Sequence, residues 1–593
     1  MAKTQQDVQA DYDAWMKIDK DPKTREELET LMKEEKYDEI HFKLNNRMTF
    51  GTAGLRGRIA AGYICMNIVT VQQASQGLCQ YVKKMVPNAE EKGVVIGHDA
   101  RYYSHDFARI AAACFLKEGI PVRLYSDIVP TPFVPYAVKK YSAACGIMVT
   151  ASHNPAADNG YKVYWSDGVQ ITEPHDKGIQ DSIIANLDLW DVIPVAEVDA
   201  NDKVTDIHAE VMDSYYKDIQ SVRARTDEEN AACPVRIAYS AMHGVGYKYA
   251  MRSLESYGFN TDKMVVPVKA QVQPDPAFPT TAFPNPEIPE RLTVAIKEAD
   301  EAGVTVIFAN DPDADRLAVA EKTELGWRSL HGNQIGVLLA DWLFQADVAR
   351  RPDVTNDKRC FVNSLVSTNM LGAYAKANGA QYAGVLTGFK WIGRECARFA
   401  NEGVTPILGF EEAIGFMCGP LVFDKDGISA AGVMAELTAA TYAAGNTLFG
   451  RFKDLQKKYG YFMCNNSFFI CHEKPVIDSI FARLRAPTAE NYMKKVGRFT
   501  ALQIRDLTTG LDTNQADQKA ILPLQPGAHM ITYWFDNGAI MTLRTSGTEP
   551  KIKWYAELGG EDPAKAQAEI DELVEAMKEE WLEPEKNGLQ TEM

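Results

Sequence analysis

The sequence predicts an α/β protein: three similar α/β domains in series, followed by a smaller α+β domain at the C-terminus. Three observations predict it. From Tyr81 to Glu412, short apolar runs of strand length alternate with helix-length segments, the layout of α/β folds. Beyond about Gly445 that alternation stops, and strand-like runs are followed by one amphipathic helix. The chain has 593 residues and is 46% hydrophobic, ordinary globular usage but too long for one core, so about three to five domains are expected.

Residues 1–44 read as a helical extension. Residues 6–44 are charged and suggest two short helices, the second opened by Asp21 as N-cap with Pro22 at its first position. The first α/β domain, 45–205, carries the runs VVIG (Val94 to Gly97), VRLY (Val122 to Tyr125), GIMVT (Gly146 to Thr150) and YKVYW. The second, 206–323, carries VRIAYS (Val235 to Ser240) and VTVIFAN (Val304 to Asn310). CFVNSLV (Cys360 to Val366), YAGVLTG and TPILGFEE belong to the third, 324–450. Polar stretches near 195–208 and 323–333 set those boundaries. Residues 451–593 form a linker and the α+β domain, with strands around ITYWFDNGAIMTLR and IKWYAEL and a helix starting at Asp562 and Pro563. In that helix Ala566, Ile570, Leu573, Val574, Met577 and Trp581 recur at three- and four-residue steps, so one face packs on the strands.

A formal charge of −17 argues against a nucleic-acid or membrane-surface partner, since polyanions are repelled unless basic groups are gathered in one place. Ten cysteines with no CxxC pair suggest free thiols in a reducing compartment, and cytoplasm is the expectation. The N-terminus MAKTQQDVQADYDAW lacks the apolar core of a signal peptide. No run approaches the roughly 20 apolar residues of a membrane span, so a soluble protein is expected.

Five segments carry candidate chemistry. In TASHNPAADNGYKVYW, Ser152 lacks the G-x-S-x-G elbow of serine hydrolases. If the segment is extended, His153 points away from its neighbour and braces the loop instead; Ser152 alone could be a turn serine. In IFANDPDADRLAVAE, Asp311, Asp313 and Asp315 alternate directly after an apolar strand. Three crowded carboxylates repel unless a cation sits among them, and all-oxygen ligands without His or Cys indicate Mg²⁺ or another hard divalent ion. A calcium loop is excluded, because its sixth position would be Arg316 where glycine is required and its twelfth Lys322 where glutamate is. A solvated acidic turn is the alternative. LRTSGTEPKIKWY sets Arg544, Ser546, Thr548 and Lys551 around Gly547, suited to cradling a phosphate or to a polar hairpin connection. FGTAGLRGRIAAG surrounds Arg56 with glycines, and GFEEAIGF places Glu411 and Glu412 after a strand, where they bond sugar hydroxyls or face water. Together these suit phosphoryl transfer on a sugar.

With these motifs in this order the chain resembles the α-D-phosphohexomutase superfamily, the phosphoglucomutases and phosphomannomutases, from about Arg47 to about Glu557. The family's T-x-S-H-N-P loop is matched by Thr150 to Pro155 and its lysine by Lys162. Its D-x-D-x-D-R loop is matched by Asp311 to Arg316, its sugar loop by GFEEAIG, and its R-x-S-G-T-E-P loop by Arg544 to Pro550. TGFKWIG, Thr387 to Gly393, resembles a loop that distinguishes the two substrate orientations. The resemblance implies a heart-shaped, four-domain fold with mixed sheets in the three α/β domains and one loop from each domain at a central cleft. It implies a phosphoserine at Ser152, with Lys162, Arg56 and His153 completing the catalytic set. Substrate contacts would come from Arg56, Arg316, Thr387, Gly388, Lys390, Glu411, Arg544, Ser546, Gly547 and Thr548. Ser152, Asp311, Asp313 and Asp315 would hold Mg²⁺, a sugar 1,6-bisphosphate would act as activator and primer, and the enzyme would be a monomer or homodimer acting on small sugar phosphates.

One position departs from the pattern. Hexose enzymes commonly carry a serine two residues after the first glutamate of the sugar loop, and here it is Ala413. The FGTAGLRG and FEEAIG forms resemble the phosphoglucomutase-2/phosphopentomutase-like branch. The leading expectation is interconversion of glucose 1-phosphate and glucose 6-phosphate through a bisphosphate intermediate. Pentose phosphates, mannose phosphates and glucose 1,6-bisphosphate synthesis are the alternatives, with a non-catalytic phosphosugar-binding relative as a different class.

Overall fold

A computed structural model describes residues 3–485, 492–546 and 550–591. The chain divides into two units, Met1–Val362 with Gly388–Phe449, and Asn363–Thr387 with Gly450–Met593.

The first unit begins with three helices, Gln5–Ile18, Pro22–Lys33 and Tyr37–Asn45, one more than the sequence suggested. The extra break falls at Glu35, whose φ of 57° no helix tolerates. Asp21 caps the second helix as expected, accepting from Lys23 N at 3.0 Å.

A six-stranded sheet follows, in the order Leu55–Arg58, Asp158–Trp165, Cys145–Val149, Val94–His98, Val122–Leu124 and Val204–Asp206. Its last four strands are parallel and the first two antiparallel. Cys145–Val149 and Val94–His98 are buried at every position, which is why they read as unbroken apolar runs rather than alternating ones. Helices Ile68–Met85 and Ser104–Lys117 contribute Val71, Leu78, Phe107 and Ala111 to the core of this sheet.

A second, five-stranded mixed sheet runs Gly326–Ser329, Ala318–Thr323, Val306–Ala309, Ile237–Ser240 and Val265–Pro267. The polar residues near 323–333 hold the hairpin that joins its first two strands. Further on, Thr405–Glu411 and Gly415–Cys418 form an antiparallel ribbon against helices Gly332–Arg350, Phe389–Asn401 and Gly427–Ala443. Gly332 is required there, because a Cβ on it would lie 2.0 Å from the Glu412 carbonyl oxygen.

In the second unit an antiparallel sheet runs Tyr461–Ile470, Lys551–Gly560, Ile540–Thr545, Met530–Phe535, Phe499–Asp506 and Lys495–Val496, with Leu511–Asp512 paired to Phe499–Asp506. Helix Pro563–Met577 covers it. Asp562 caps that helix, and every residue of the expected apolar face, Trp581 included, is buried.

No helix among the described residues is long and apolar enough to cross a membrane. The ten cysteines form no disulfide.

Candidate active site

The serine loop joins two neighbouring strands. Cys145–Val149 delivers Ser152 at its C-terminal end, and Asp158–Trp165 returns antiparallel with Met148 opposite Lys162, so serine and lysine emerge at the same end of the sheet. Ser152 is 2% exposed and sits at φ 52°, a left-handed conformation that costs a non-glycine residue about 1 kcal/mol. Several bonds impose it. The Ser152 N–H donates to Thr150 Oγ1 at 2.9 Å, and the Thr150 hydroxyl donates to Asp99 Oδ2 at 2.7 Å. Arg101 donates to the carbonyls of Ser152, Asn154, Pro155 and Asp158, and its Nε lies 3.3 Å from Asp99. One buried guanidinium thus ties four carbonyls of the loop together.

The bend corrects one expectation. Ser152 is not in an extended segment, so His153 does not point away: its Nδ1 lies 3.4 Å from Ser152 Oγ, and its ring packs edge-on against Phe283. Burial, reinforced by the charges of Arg316 and Arg56, pushes the imidazole well below its usual pKa and keeps it neutral.

The aspartate loop leaves strand Val306–Ala309 and turns at Ala314, φ 53°. Asp311, Asp313 and Asp315 are all fully buried, each with a carboxylate oxygen within 4.8 Å of the others'. Ser152 Oγ donates to Asp311 Oδ2 at 3.0 Å. Lys162 Nζ donates to Asp313 Oδ2 at 2.8 Å and Asp315 Oδ2 at 3.0 Å, and Thr131 Oγ1 donates to Asp313 Oδ2 at 2.6 Å. Burial and the two neighbouring carboxylates push Asp311 well above the usual carboxylate range. Burial also raises Asp313, but Lys162 and the Thr131 hydroxyl outweigh it and hold that carboxyl far below the range. Asp313 Oδ1 and Asp315 Oδ1 are buried without a hydrogen-bond partner among the described residues. Orphaned hard oxygens in a set of three carboxylates fit a hard divalent cation.

The other expected residues lie on several separate segments. Arg56, on strand Leu55–Arg58, pairs opposite Gly160 and donates to Asn154 Oδ1 at 3.3 Å, which places it beside the serine loop. Gly54 makes this pairing possible: its φ is 75°, and a Cβ on it would lie 1.8 Å from the Tyr161 carbonyl oxygen. Arg316 lies 4.0 Å from Asp311 and 3.4 Å from Glu287, and its backbone bridges to Gly415 of the GFEEAIGF segment. That bridge brings Glu411 to the same region. Glu411 is paired with Gly415 at the ribbon's end, and its pKa is raised by burial and by Glu412 against the pull of Lys425. Lys390 donates to Thr52 Oγ1 and so joins its loop to the glycine-rich one, with Gly388 at φ 104° just before helix Phe389–Asn401. Thr387, Arg544 and Ser546 belong to the second unit. There Arg544 Nη2 donates to Tyr555 Oη at 3.2 Å, and Ser546 N donates to Lys551 O at 3.0 Å. Gly547 and Thr548 lie outside the described residues.

Sequence reasoning missed Arg101, Asp99, Thr131 and Lys425. Lys425 Nζ sits 3.5 Å from Asp315 and 3.7 Å from Asp424. The signal for the first two was the run HDAR, three charged or titratable residues placed directly after the buried strand VVIG. Thr131 and Lys425 carry no local signal, since each meets the aspartates only across the fold.

Residues 47–188, 213–326 and 331–459 match the three phosphoglucomutase/phosphomannomutase alpha/beta/alpha domains I, II and III in order. The chain belongs to the phosphoglucomutase/phosphomannomutase family. It is 41% identical over 591 residues to the phosphopentomutase of Mus musculus, covering 97% of this chain and 95% of that one. Against the glucose 1,6-bisphosphate synthase of Homo sapiens it is 40% identical over 592 residues, covering 97% and 94%. Against the phosphoribomutase of Saccharomyces cerevisiae it is 36% identical over 613 residues, covering 99% and 98%. Among solved structures, the open form of Paramecium pp63/parafusin, a phosphoglucomutase, superposes with a TM-score of 0.62 at 17% identity, covering 90% of this chain and 96% of that one, a likeness of fold. These relatives make the chain a phosphosugar mutase by family, an isomerase of the phosphotransferase kind.

The shape of the serine loop rests on Arg101, which donates to four of its carbonyls. Arg101→Lys retains the charge but cannot reach four carbonyls at once. It is expected to lower kcat/KM by about 10²-fold, the cost of displacing a reacting atom by roughly an ångström. Steady-state assays well below the variant's melting temperature check this.

Proposed function

We propose that this enzyme is a phosphopentomutase, interconverting pentose 1-phosphate and pentose 5-phosphate by way of a phosphorylated Ser152 and a sugar bisphosphate. The observation that carries the phosphoserine reading is the placement of Ser152 Oγ, 3.0 Å from Asp311 in a buried cage closed by Lys162. The hydroxyl stands among three carboxylates, one lysine and one arginine; His153 beside it makes no hydrogen bond from its other ring nitrogen to an orienting group among the described residues, so the setting suits a phosphate carrier better than an acyl nucleophile.

Asp311, Asp313, Asp315 and Ser152 would hold the divalent cation, Mg²⁺ by its hard donor set, and when bound it would neutralise charge on the phosphoryl oxygens. In the transfer itself the bond from phosphorus to Ser152 Oγ breaks, a bond from phosphorus to a sugar hydroxyl oxygen forms, and the hydroxyl proton ends on Ser152 Oγ. Lys162 and Arg56 supply fixed positive charge beside the reacting group. The bisphosphate then turns over and returns its other phosphoryl group to Ser152. Glu411 orients the sugar hydroxyls, and the family resemblance assigns the phosphate that is not reacting to the loop of Arg544, Ser546, Gly547 and Thr548.

Two observations favour the pentose. The similar chains include a phosphopentomutase and a phosphoribomutase. Ala413 also offers no hydroxyl where a hexose enzyme commonly places one, and an unmade bond to a substrate hydroxyl shifts preference. Glucose 1-phosphate and glucose 6-phosphate are the second reading, with synthesis of glucose 1,6-bisphosphate beside it because a synthase is similar at 40% identity. Ribose 1-phosphate and glucose 1-phosphate are to be compared on one preparation with Mg²⁺, with and without glucose 1,6-bisphosphate primer. The pentose is expected to give a kcat/KM at least about tenfold higher. A reversed ratio would move the assignment to glucose; conversion of neither sugar would contradict the mutase reading.

A further inference from the structure

Residues 1–46 precede the first family match, at residue 47, and nothing in that match accounts for three helices. Their apolar faces close on one another and on the following domain: Val8, Trp15, Leu28, Ile40 and Leu44 form one core with buried Ala61 and Val69, and Tyr63 and Leu189 pack against it. The residues they grip lie just past the strand that carries Arg56.

Glu27 makes the central contact. One carboxylate oxygen accepts from the Ala61 N–H at 2.8 Å and the other from Lys43 Nζ at 2.8 Å. The Lys43 carbonyl in turn accepts from Tyr63 N at 2.9 Å, and Gly62, φ 96°, lets the strands of chain approach: a Cβ there would lie 2.5 Å from that carbonyl oxygen. Trp15 packs edge-on against Tyr63 with centroids 4.8 Å apart, and Arg47 lies over the same ring at 3.9 Å. Residues 61–63 are therefore fixed from the outside by the extension and from the inside by Asn67, whose amide donates to the Ala60 and Gly62 carbonyls.

A second contact reaches the other support of the serine loop. Lys23 Nζ lies 5.4 Å from the ring of Tyr103, and burial together with the nearby Asp21 carboxylate pushes the Tyr103 hydroxyl pKa up. Tyr103 stands at φ 63° in the turn that begins with Asp99 and Arg101, the pair that holds Ser152 in its left-handed conformation.

From this we infer that the N-terminal helices are a brace for the phosphoryl-transfer site, fixing the chain just past the Arg56 strand at residues 61–63 and the Arg101 turn at Tyr103, with Glu27 as a positioning residue. The inference rests on the proposed role of Ser152. A general packing role would predict a loss of stability and nothing more. A brace predicts slower transfer at a temperature where the protein is fully folded, because Arg56 and Ser152 would no longer be held in register.

The test uses the full chain with Glu27→Ala and Glu27→Gln. Phosphoryl uptake from glucose 1,6-bisphosphate with Mg²⁺ is followed by intact mass, alongside kcat, KM and melting temperature. Glu27→Ala is expected to slow uptake and lower kcat by about tenfold, with KM changed less than twofold. Glu27→Gln, whose amide oxygen still accepts from Ala61, should recover most of that rate even if the alanine variant proves too unstable to assay. Wild-type uptake in Glu27→Ala, or equal losses in both variants that track melting temperature alone, would overturn the brace. Wild-type protein that took up no phosphoryl group would overturn the reading of the site, and the brace with it.

Discussion

Ser152→Ala is expected to lower turnover by on the order of 10⁴-fold or more, about 5 kcal/mol of barrier. The size of the effect follows from the position of the hydroxyl. Among the described residues no other hydroxyl donates to Asp311, and with Ser152 as the proposed carrier, a neighbour that only binds charge cannot replace it. The fold should tolerate the change. The Ser152 N–H still donates to Thr150, and Arg101 still holds the loop carbonyls, so the left-handed turn keeps its supports. The variant should therefore still bind sugar phosphates, melt close to the wild type and turn nothing over. Calorimetric binding of glucose 1,6-bisphosphate, run beside the kinetic assay, separates loss of the carrier from loss of the site.

Asp313→Asn is expected to have the second-largest effect, a fall of about 10³-fold in kcat at saturating Mg²⁺. Asp313 presents one oxygen to Lys162 and Thr131, and its other oxygen is buried without a hydrogen-bond partner among the described residues, a geometry that fits a cation ligand. An amide keeps the shape and loses the charge. Lys162 keeps Asp315, so the buried ammonium is not stranded and the variant should fold. A readout independent of catalysis is the shift in melting temperature on adding Mg²⁺. A cation at a hundred times its dissociation constant stabilises the wild type by about 2.7 kcal/mol, and Asp313→Asn should lose most of that shift. Equal Mg²⁺ shifts in the two proteins would contradict the metal assignment.

Much of the fold was legible because burial leaves a strong pattern. Strands such as Cys145–Val149, covered on both faces, must be apolar at every position, and helix Pro563–Met577 must be apolar on one. Leu55–Arg58 was not legible. Its residues LRGR are strand only because Gly54 and Gly160 let two backbones meet. Phe499–Asp506 was missed as well, an irregular mixture of buried and exposed positions ordered by its neighbours in the sheet.

The same division runs through the site. Ser152 and the three aspartates stand out because each motif is contiguous, and their chemistry follows from side-chain type alone. Arg101 and Thr131 act on partners that lie far away in the chain, the Ser152 carbonyl and the Asp313 carboxylate, so no local window contains both halves of the interaction. His153 was misjudged for a related reason. Its side of the chain depends on the φ of Ser152, and a serine gives no sequence sign of a left-handed bend.

The most direct measurement is peptide mapping of the enzyme after brief exposure to glucose 1,6-bisphosphate and Mg²⁺, with the pentose phosphate product quantified from the same sample. A single phosphoryl group on Ser152, removed on adding pentose 1-phosphate at a rate no slower than turnover, is the predicted result. Turnover in a sample where Ser152 never carries the group, or carries it without passing it on, would contradict the account.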